Sequence, residues 1–168
     1  MPVIGVISDT HLDAATPDLM DALSAHLSDV TTILHAGDVT HPVVLDEIEA
    51  HGWRVLAVQG NMDLHPGLAS LPQIRLLDFG GVRVGLCHGW GRSGDIRTRV
   101  LGRFNGDRPG IMVYGHTHQA DDRVEAGVRF LNPGSPTDRR FAPFCSLGRL
   151  YIPSDGDLNQ VRFEIVRL

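Results

Sequence analysis

"VIGVISDTHLDAATPDL", residues 3–19, decides how the rest of the chain is read. Val3 to Ile7 is an apolar run of strand length, and Asp9, Thr10 and His11 follow it at once. Then Thr16 offers a cap, Pro17 suits a first helical turn, and Leu19, Leu23 and Leu27 recur on one helical face. The unit is strand, polar loop, helix. It returns: Thr31–His35 ends in Gly37-Asp38 and leads to a helix from about Pro42 to His51, with Val44 or Leu45 and Ile48 inward. A third apolar run, Arg54–Val58, ends in Gly60-Asn61. Such repetition predicts parallel strands with right-handed crossovers.

The second half changes character. "IRLLDF" (74–79) and "VRVGLCH" (82–88) flank Gly80-Gly81, which predicts a hairpin. A helix is expected from about Ser93 to Phe104, burying Ile96, Val100 and Phe104. Ile111–Gly115 is another strand, and "RVEAGVRFLN" (123–132) a hairpin turning at Ala126-Gly127. "SLGRLYIP" (146–153) and "QVRFEIVRL" (160–168) add two strands. The expectation is an α/β fold, two packed mixed sheets with helices outside, forming one domain over residues 1–168.

Hydrophobic residues are 42% of the chain and charged residues 21%, which argues against disorder. A net charge of −5 gives no footprint for duplex nucleic acid or an anionic membrane. A small phosphate substrate remains compatible, because a bound metal supplies local positive charge. Every basic residue is arginine, which excludes Schiff-base and phosphate-loop lysine chemistry. No stretch has the length of a secretory signal core or a membrane span. Cys87 and Cys145 sit in apolar, strand-like surroundings without CxxC spacing, so both are read as buried free thiols in a reducing cytoplasm. The apolar C-terminal strands would offer an edge for a homodimer or higher homo-oligomer.

The chemistry lies at the strand ends. Asp9 and His11, Asp38, Asn61, His88, and His116 with His118 each follow an apolar run. In parallel segments, the loops after strand C-termini share one edge, where ligands bind. In extended backbone, residues two apart face one side, so Asp9 with His11 and His116 with His118 are expected to act as pincers. Singly, an HxH or a DxH is weak; five loops converging are not. Imidazoles mixed with carboxylate and amide oxygens suit Mn, Fe, Co, Ni or Zn rather than calcium, magnesium or a structural zinc. Seven ligands suit two ions sharing a carboxylate, roughly 3.5–4 Å apart, with a hydroxide held between them for in-line attack on phosphorus. His26 and His51 are read as surface residues, His35 as a support behind Asp38.

The ordered set D9-x-H11, G37-D38, G60-N61, H88-G89 and G115-H116-x-H118 resembles the calcineurin-like metallophosphoesterases. The short length and "NPGS" at 132–135 narrow the resemblance to the small YfcE-type phosphodiesterases, whose eukaryotic relative is the retromer subunit Vps29. It spans roughly residues 3–140. It implies a four-layer αββα sandwich and two divalent transition-metal ions, often manganese. It further implies that Asp9, His11, Asp38 and His118 hold one ion while Asp38, Asn61, His88 and His116 hold the other, with Asp38 bridging. Catalysis would centre on Asp38, Asn61 and His116, with a metal-bound hydroxide as nucleophile.

Two positions depart from the family pattern. Many relatives read GNH where this chain reads "GNMD", and Met62 cannot shuttle a proton, which leaves His65, His41 and Asp63 as candidate general acids. Relatives often read HGH where this chain reads "HGW", so Trp90 is a packing residue or a stacking wall for substrate. Arg139 and Arg140, after the NPGS turn, are candidate phosphate contacts, whereas Arg99 and Arg103, four apart, are expected on a solvent face. The leading expectation is a phosphodiesterase for small substrates. A phosphomonoesterase or nucleotide phosphatase is the alternative within the enzymes, and a catalytically silent Vps29-like scaffold outside them. Cys87 as a nucleophile is disfavoured, because it and His88 point to opposite faces of a strand.

Overall fold

The computed structural model describes residues 2–104 and 106–168. Its first sheet grows from the repeating units. β1 (Val3–Ile7), β2 (Thr32–His35) and β3 (Arg54–Ala57) run parallel, with Ile7 opposite His35 and His35 opposite Ala57. The crossovers are α1 (Pro17–Leu27) and α2 (Pro42–Ala50). α1 starts where expected: the Thr16 hydroxyl accepts from the Leu19 N–H, worth about 1 kcal/mol. Its Leu19, Leu23 and Leu27 are fully buried, each worth about 1.5–3 kcal/mol against exposure.

The second sheet begins with the hairpin of β4 (Ile74–Phe79) and β5 (Val82–Cys87). Parallel to β5 lie β6 (Ile111–Tyr114) and then β8 (Val128–Asn132), with β7 (Asp121–Glu125) antiparallel on the edge. The edge strand β7 is charged and largely exposed, which discourages pairing with another chain. β9 (Ser146–Tyr151) and β10 (Arg162–Arg167) return to the first sheet, giving the orders β10-β9-β1-β2-β3 and β4-β5-β6-β8-β7.

Side-chain alternation sets the layers. Ile4, Val6 and Leu34 from one sheet meet Val84, Leu86 and Val113 from the other in the central core. On the outer face of the first sheet, Ile7 and Ile33 pack under α1 and α2. On the outer face of the second, Met112, Tyr114 and Phe130 pack under α3 (Ile96–Gly102). The result is the expected four-layer αββα sandwich.

Two local expectations need correction. The third helix is shorter than expected: a 3-10 turn covers Ser93–Asp95, α3 proper starts at Ile96, and Arg103 is its C-cap. No side chain caps its start, because Asp95 sits in the N-cap position without making the bond. Cys145 lies just before β9 and is only half-buried, unlike Cys87.

Candidate metal centre

The two sheets present their strand ends to one place. The loops after β1, β2 and β3 carry Asp9, His11, Asp38 and Asn61, and those after β5 and β6 carry His88, His116 and His118. Of the two expected pincers, Asp9 and His11 both approach His118 whereas His116 and His118 do not act as a pair, and neither stretch is extended backbone. Asp9, His11, Asp38, His116 and His118 all have left-handed φ, between 47° and 80°. Left-handed backbone costs a non-glycine residue about 1–2 kcal/mol, and such strain concentrates where function requires a particular aim. Here it curls each loop so that its side chain points across the gap between the sheets. His116 and His118 consequently face different neighbours, not one shared one.

His118 Nε2 lies 3.1 Å from His11 Nε2 and 3.6 Å from Asp9 Oδ1. His116 Nδ1 lies 3.1 Å from Asn61 Oδ1, which is itself 3.2 Å from His88 Nε2. Asp38 stands between these groups: Oδ2 is 3.6 Å from His11 Nε2 and Oδ1 is 3.4 Å from His88 Nε2. Two sets of three donors fall within 4.8 Å of one another, Asp9–His11–His118 and Asp9–Asp38–His88. On separation alone, Asp9 belongs to both sets. Asp38 addresses His11 and His88 with different oxygens, whereas Asp9 Oδ1 alone stands 3.6–4.0 Å from His11, His88 and His118.

The outer nitrogens of three imidazoles fix what the inner ones can do. His88 Nδ1 is 2.6 Å from the Ala36 carbonyl and His116 Nε2 is 3.1 Å from the Gly91 carbonyl. Each must carry a proton to donate there, so His88 Nε2 and His116 Nδ1 present lone pairs inward in the neutral ring. His118 Nδ1 is buried without a hydrogen bond, with Asp138 Oδ2 3.5 Å behind it. That is the arrangement in which a ligating imidazole keeps its proton toward a supporting carboxylate. Lone pairs therefore face carboxylate and amide oxygens, an arrangement that a cation would stabilise. The donor set fits borderline divalent ions.

Electrostatics agree. Burial pushes the Asp9 carboxyl up to about 7, although His88 pulls it down. Burial also raises Asp38, but its bond to His88 and the His88 charge outweigh that and leave it below the usual carboxylate range. For His88, burial favours the neutral ring, but Asp38 and Asp9 outweigh it and raise its basicity. Burial lowers both His116 and His118.

The supports are specific. Asp63 accepts from the backbone N–H groups of Asp38, Thr40 and Gly60, tying the β2 and β3 loops together. Ser135 of the NPGS turn donates to the Asp9 carbonyl, Thr137 to the Thr10 carbonyl, and Asn132 to the Gly115 carbonyl. His35, fully buried, pairs with Thr10 Oγ1 through Nε2 and accepts from the Gly37 N–H through Nδ1. Gly115 is required by close approach: a Cβ there would stand 1.9 Å from Ser8 Oγ and 2.9 Å from Asp9 Oδ2.

Residues expected near substrate divide. Trp90 lines a cleft of about 140 Å³ together with Asn61 and His88, at the edge of the ligand cluster. Arg140 is drawn onto Asp138 by bonds of 2.6–3.0 Å. Arg139 lines a different hollow with Leu12, Thr16 and Cys145. His41 caps α2 through the Val43 N–H, and His65 caps the 3-10 turn Pro66–Leu68 through the Gly67 N–H. Arg103, expected on a solvent face, is exposed there, and it also stacks 4.5 Å over the Trp90 ring and lines the same cleft. Phe141, which drew no attention in the sequence, places its ring 5.4 Å from that of His118 while 63% exposed. Neither contact has a sequence signal, because each joins segments distant in the chain.

Residues 3–154 match the model of the calcineurin-like phosphoesterase superfamily domain. The chain is 42% identical over 137 residues to a probable metallophosphoesterase of Methanothermobacter thermautotrophicus, covering 80% of this chain and 77% of that one. It is 27% identical over 143 residues to a phosphodiesterase of Methanocaldococcus jannaschii, covering 78% and 82%. A Thermotoga maritima protein solved by NMR superposes with a TM-score of 0.74 at 34% identity, over the whole of both chains. With a family match across nearly its full length and a cluster of metal-compatible donors where the two sheets meet, this chain belongs to the calcineurin-like phosphoesterase superfamily.

Proposed function

We propose that this chain is a metal-dependent phosphodiesterase acting on small phosphodiesters, with residues 1–168 as a single catalytic domain. The observation that carries it is the convergence of inward imidazole lone pairs on the oxygens of Asp9, Asp38 and Asn61. Asp9, His11, Asp38 and His118 would hold one divalent ion; Asp38, Asn61, His88 and His116 would hold the second, manganese being the first candidate. When bound, the pair would supply positive charge to the phosphoryl oxygens and acidify a water for direct attack on phosphorus.

The chain's own residues do the rest. Carbonyls of Ala36 and Gly91 keep His88 and His116 in the ligating tautomer, so neither ring must reorganise when substrate arrives. Asp63 fixes the Asp38 loop, and Ser135 fixes the Asp9 loop. No covalent intermediate is proposed. Cys87 packs in the α3 layer, donates to the His88 carbonyl, and has its thiol pushed up to about 11 by burial. Leaving-group protonation has no dedicated side chain in this reading: Met62 cannot supply it, and Asp63, His41 and His65 are engaged in holding loops. Good leaving groups are therefore favoured.

The diester preference is supported by the phosphodiesterase relative and by the cleft beside Asn61 and His88, which gives a second ester arm somewhere to lie. No helix is long and apolar enough to cross a membrane. Free cysteines at 87 and 145 support a reducing, cytoplasmic setting. The test is to strip the protein with chelator and restore Mn, Ni, Co, Zn or Mg singly. Bis(p-nitrophenyl) phosphate and p-nitrophenyl phosphate are then compared. Metal-dependent cleavage with faster diester turnover supports the proposal. Faster monoester turnover would replace it with a phosphomonoesterase, and absence of metal binding with a scaffold.

A further inference from the structure

The cleft beside the ligand cluster contains one cation without an acidic partner. Arg97 holds Glu125, Arg129 holds Asp122 and Arg149 holds Asp29. Arg103 has no carboxylate partner among the described residues; it donates through Nη1 to the Gln73 side-chain oxygen at 2.6 Å and stacks on Trp90 at 4.5 Å. Both contacts orient the guanidinium without neutralising it. Gln73 comes from the segment before β4 and Trp90 from the loop after β5, so the hairpin's two ends hold the arginine between them. Arg103, Gln59, Asn61 and His88 line the same cleft.

In a chain of net charge −5, an oriented and unpaired guanidinium lining a cleft is a site for anionic oxygens. The scissile phosphoryl group would belong to the cluster of Asn61 and His88, which line the same cleft.

We propose that Arg103 is a specificity-determining residue that reads a second anionic group, a carboxylate or a phosphate, on the substituent of the phosphodiester substrate. This rests on the phosphodiesterase reading above. The ligand chemistry is an anionic oxygen pair or triad matched to the guanidinium fork. Trp90 and Gln73 act as positioning residues for it.

Two matched pairs of substrates separate the sources. Thymidine 5′-(4-nitrophenyl phosphate) and its 3′-phosphorylated form differ by one phosphate; glycerophosphoethanolamine and glycerophosphoserine differ by one carboxylate. The manganese-loaded full chain should prefer the anion-bearing member of at least one pair by roughly ten- to a hundredfold in kcat/KM, and the pair showing it names the source. Arg103→Gln should abolish that preference and Arg103→Lys should retain part of it, while any loss on bis(p-nitrophenyl) phosphate, which carries no second anion, should be clearly smaller than the loss on the anion-bearing substrate. A readout without turnover is product binding by calorimetry: thymidine 3′,5′-bisphosphate should bind tighter than thymidine 5′-monophosphate to the wild type and equally to Arg103→Gln. Wild-type protein inactive on bis(p-nitrophenyl) phosphate would defeat the phosphodiesterase reading itself. Wild-type activity there with no preference in either pair, or a preference surviving in Arg103→Gln, would overturn the inference alone. An equal loss on every substrate in Arg103→Gln would overturn it too, since it would mark a general structural role.

Discussion

His11 and His118 bring their Nε2 atoms within 3.1 Å of each other although their loops are 107 positions apart in the chain. Asp9, 3.6 Å from the same His118 nitrogen, is buried, and burial pushes its carboxyl from 3.8 up to about 7. Without metal, this corner favours protonated Asp9. Such a group stabilises the fold fully below its unfolded value and loses that contribution as pH rises through its folded one. The metal-free protein should therefore lose Asp9-linked stability between about pH 4 and pH 7. Asp9→Asn removes that titration, so in chelator at pH 8 it should melt higher than wild type, by about 1–2 kcal/mol of stability. In excess manganese the order should reverse, because wild type gains binding energy that the variant lacks. Thermal melts across pH, with and without metal, read both effects; a variant less stable in chelator at every pH would contradict the argument.

Asp38 addresses His11 with one oxygen and His88 with the other, at 3.6 and 3.4 Å. Asp38→Asn keeps the shape, and the Met62 N–H that donates to Oδ1 keeps an acceptor. It loses one charged bridging oxygen. Turnover of bis(p-nitrophenyl) phosphate should fall by about 10³-fold or more, and bound metal should drop below the wild-type stoichiometry by elemental analysis. Full activity with full metal content would remove Asp38 from the bridging role.

Much of this architecture can be read from the chain because it is built from repeated local units. Each apolar run ends in the polar residue that its loop displays, so Asp9, Asp38, Asn61, His88 and His116 announce themselves. Topology then gathers them with no need for long-range detail. The left-handed backbone of five ligand positions could not be read, since propensity assigns such angles to glycine or asparagine, and here tertiary bonds such as His116 N–H to Asp9 impose them. Arg103 does lie on an exposed face, but helical spacing says nothing of its contacts with Gln73 and Trp90, which only the hairpin brings beside it. The shortened third helix failed for a local reason: Asp95 occupies the capping position without making the capping bond.

Gly115 separates close approach from ordinary glycine flexibility. A Cβ there would collide with Ser8 Oγ at 1.9 Å and crowd the Ala36 carbonyl and Asp9 Oδ2 at 2.9 Å. Gly115→Ala must push the β6 loop away from the β1 loop, separating His118 from Asp9. We expect a loss of about 1–3 kcal/mol in stability and a much weaker metal affinity. Gly102→Ala, where a Cβ meets nothing within 4 Å at the end of α3, should be neutral or gain about 0.5–1 kcal/mol. Urea unfolding in chelator compares the two without interference from metal binding. Equal effects at both sites would refute the steric account.

Met62 tests what protonates the leaving group. Its N–H donates to Asp38 Oδ1 at 2.8 Å, and its side chain is 48% exposed beside the cluster. The backbone bond is indifferent to the side chain, so Met62→His should leave the Asp38 geometry intact while placing an imidazole beside the cluster. A diester with a nitrophenolate leaving group needs little proton assistance, and its rate should change less than about threefold. A diester with an alkoxide leaving group should accelerate by roughly ten- to a hundredfold, with a new basic limb in its pH profile as the imidazole loses its proton. The comparison is internal, since one metal-loaded sample is assayed on both substrates and any loss of metal affects them alike. Equal acceleration of both would show that the imidazole binds phosphate instead, and no acceleration of either would show that proton delivery is already supplied by solvent.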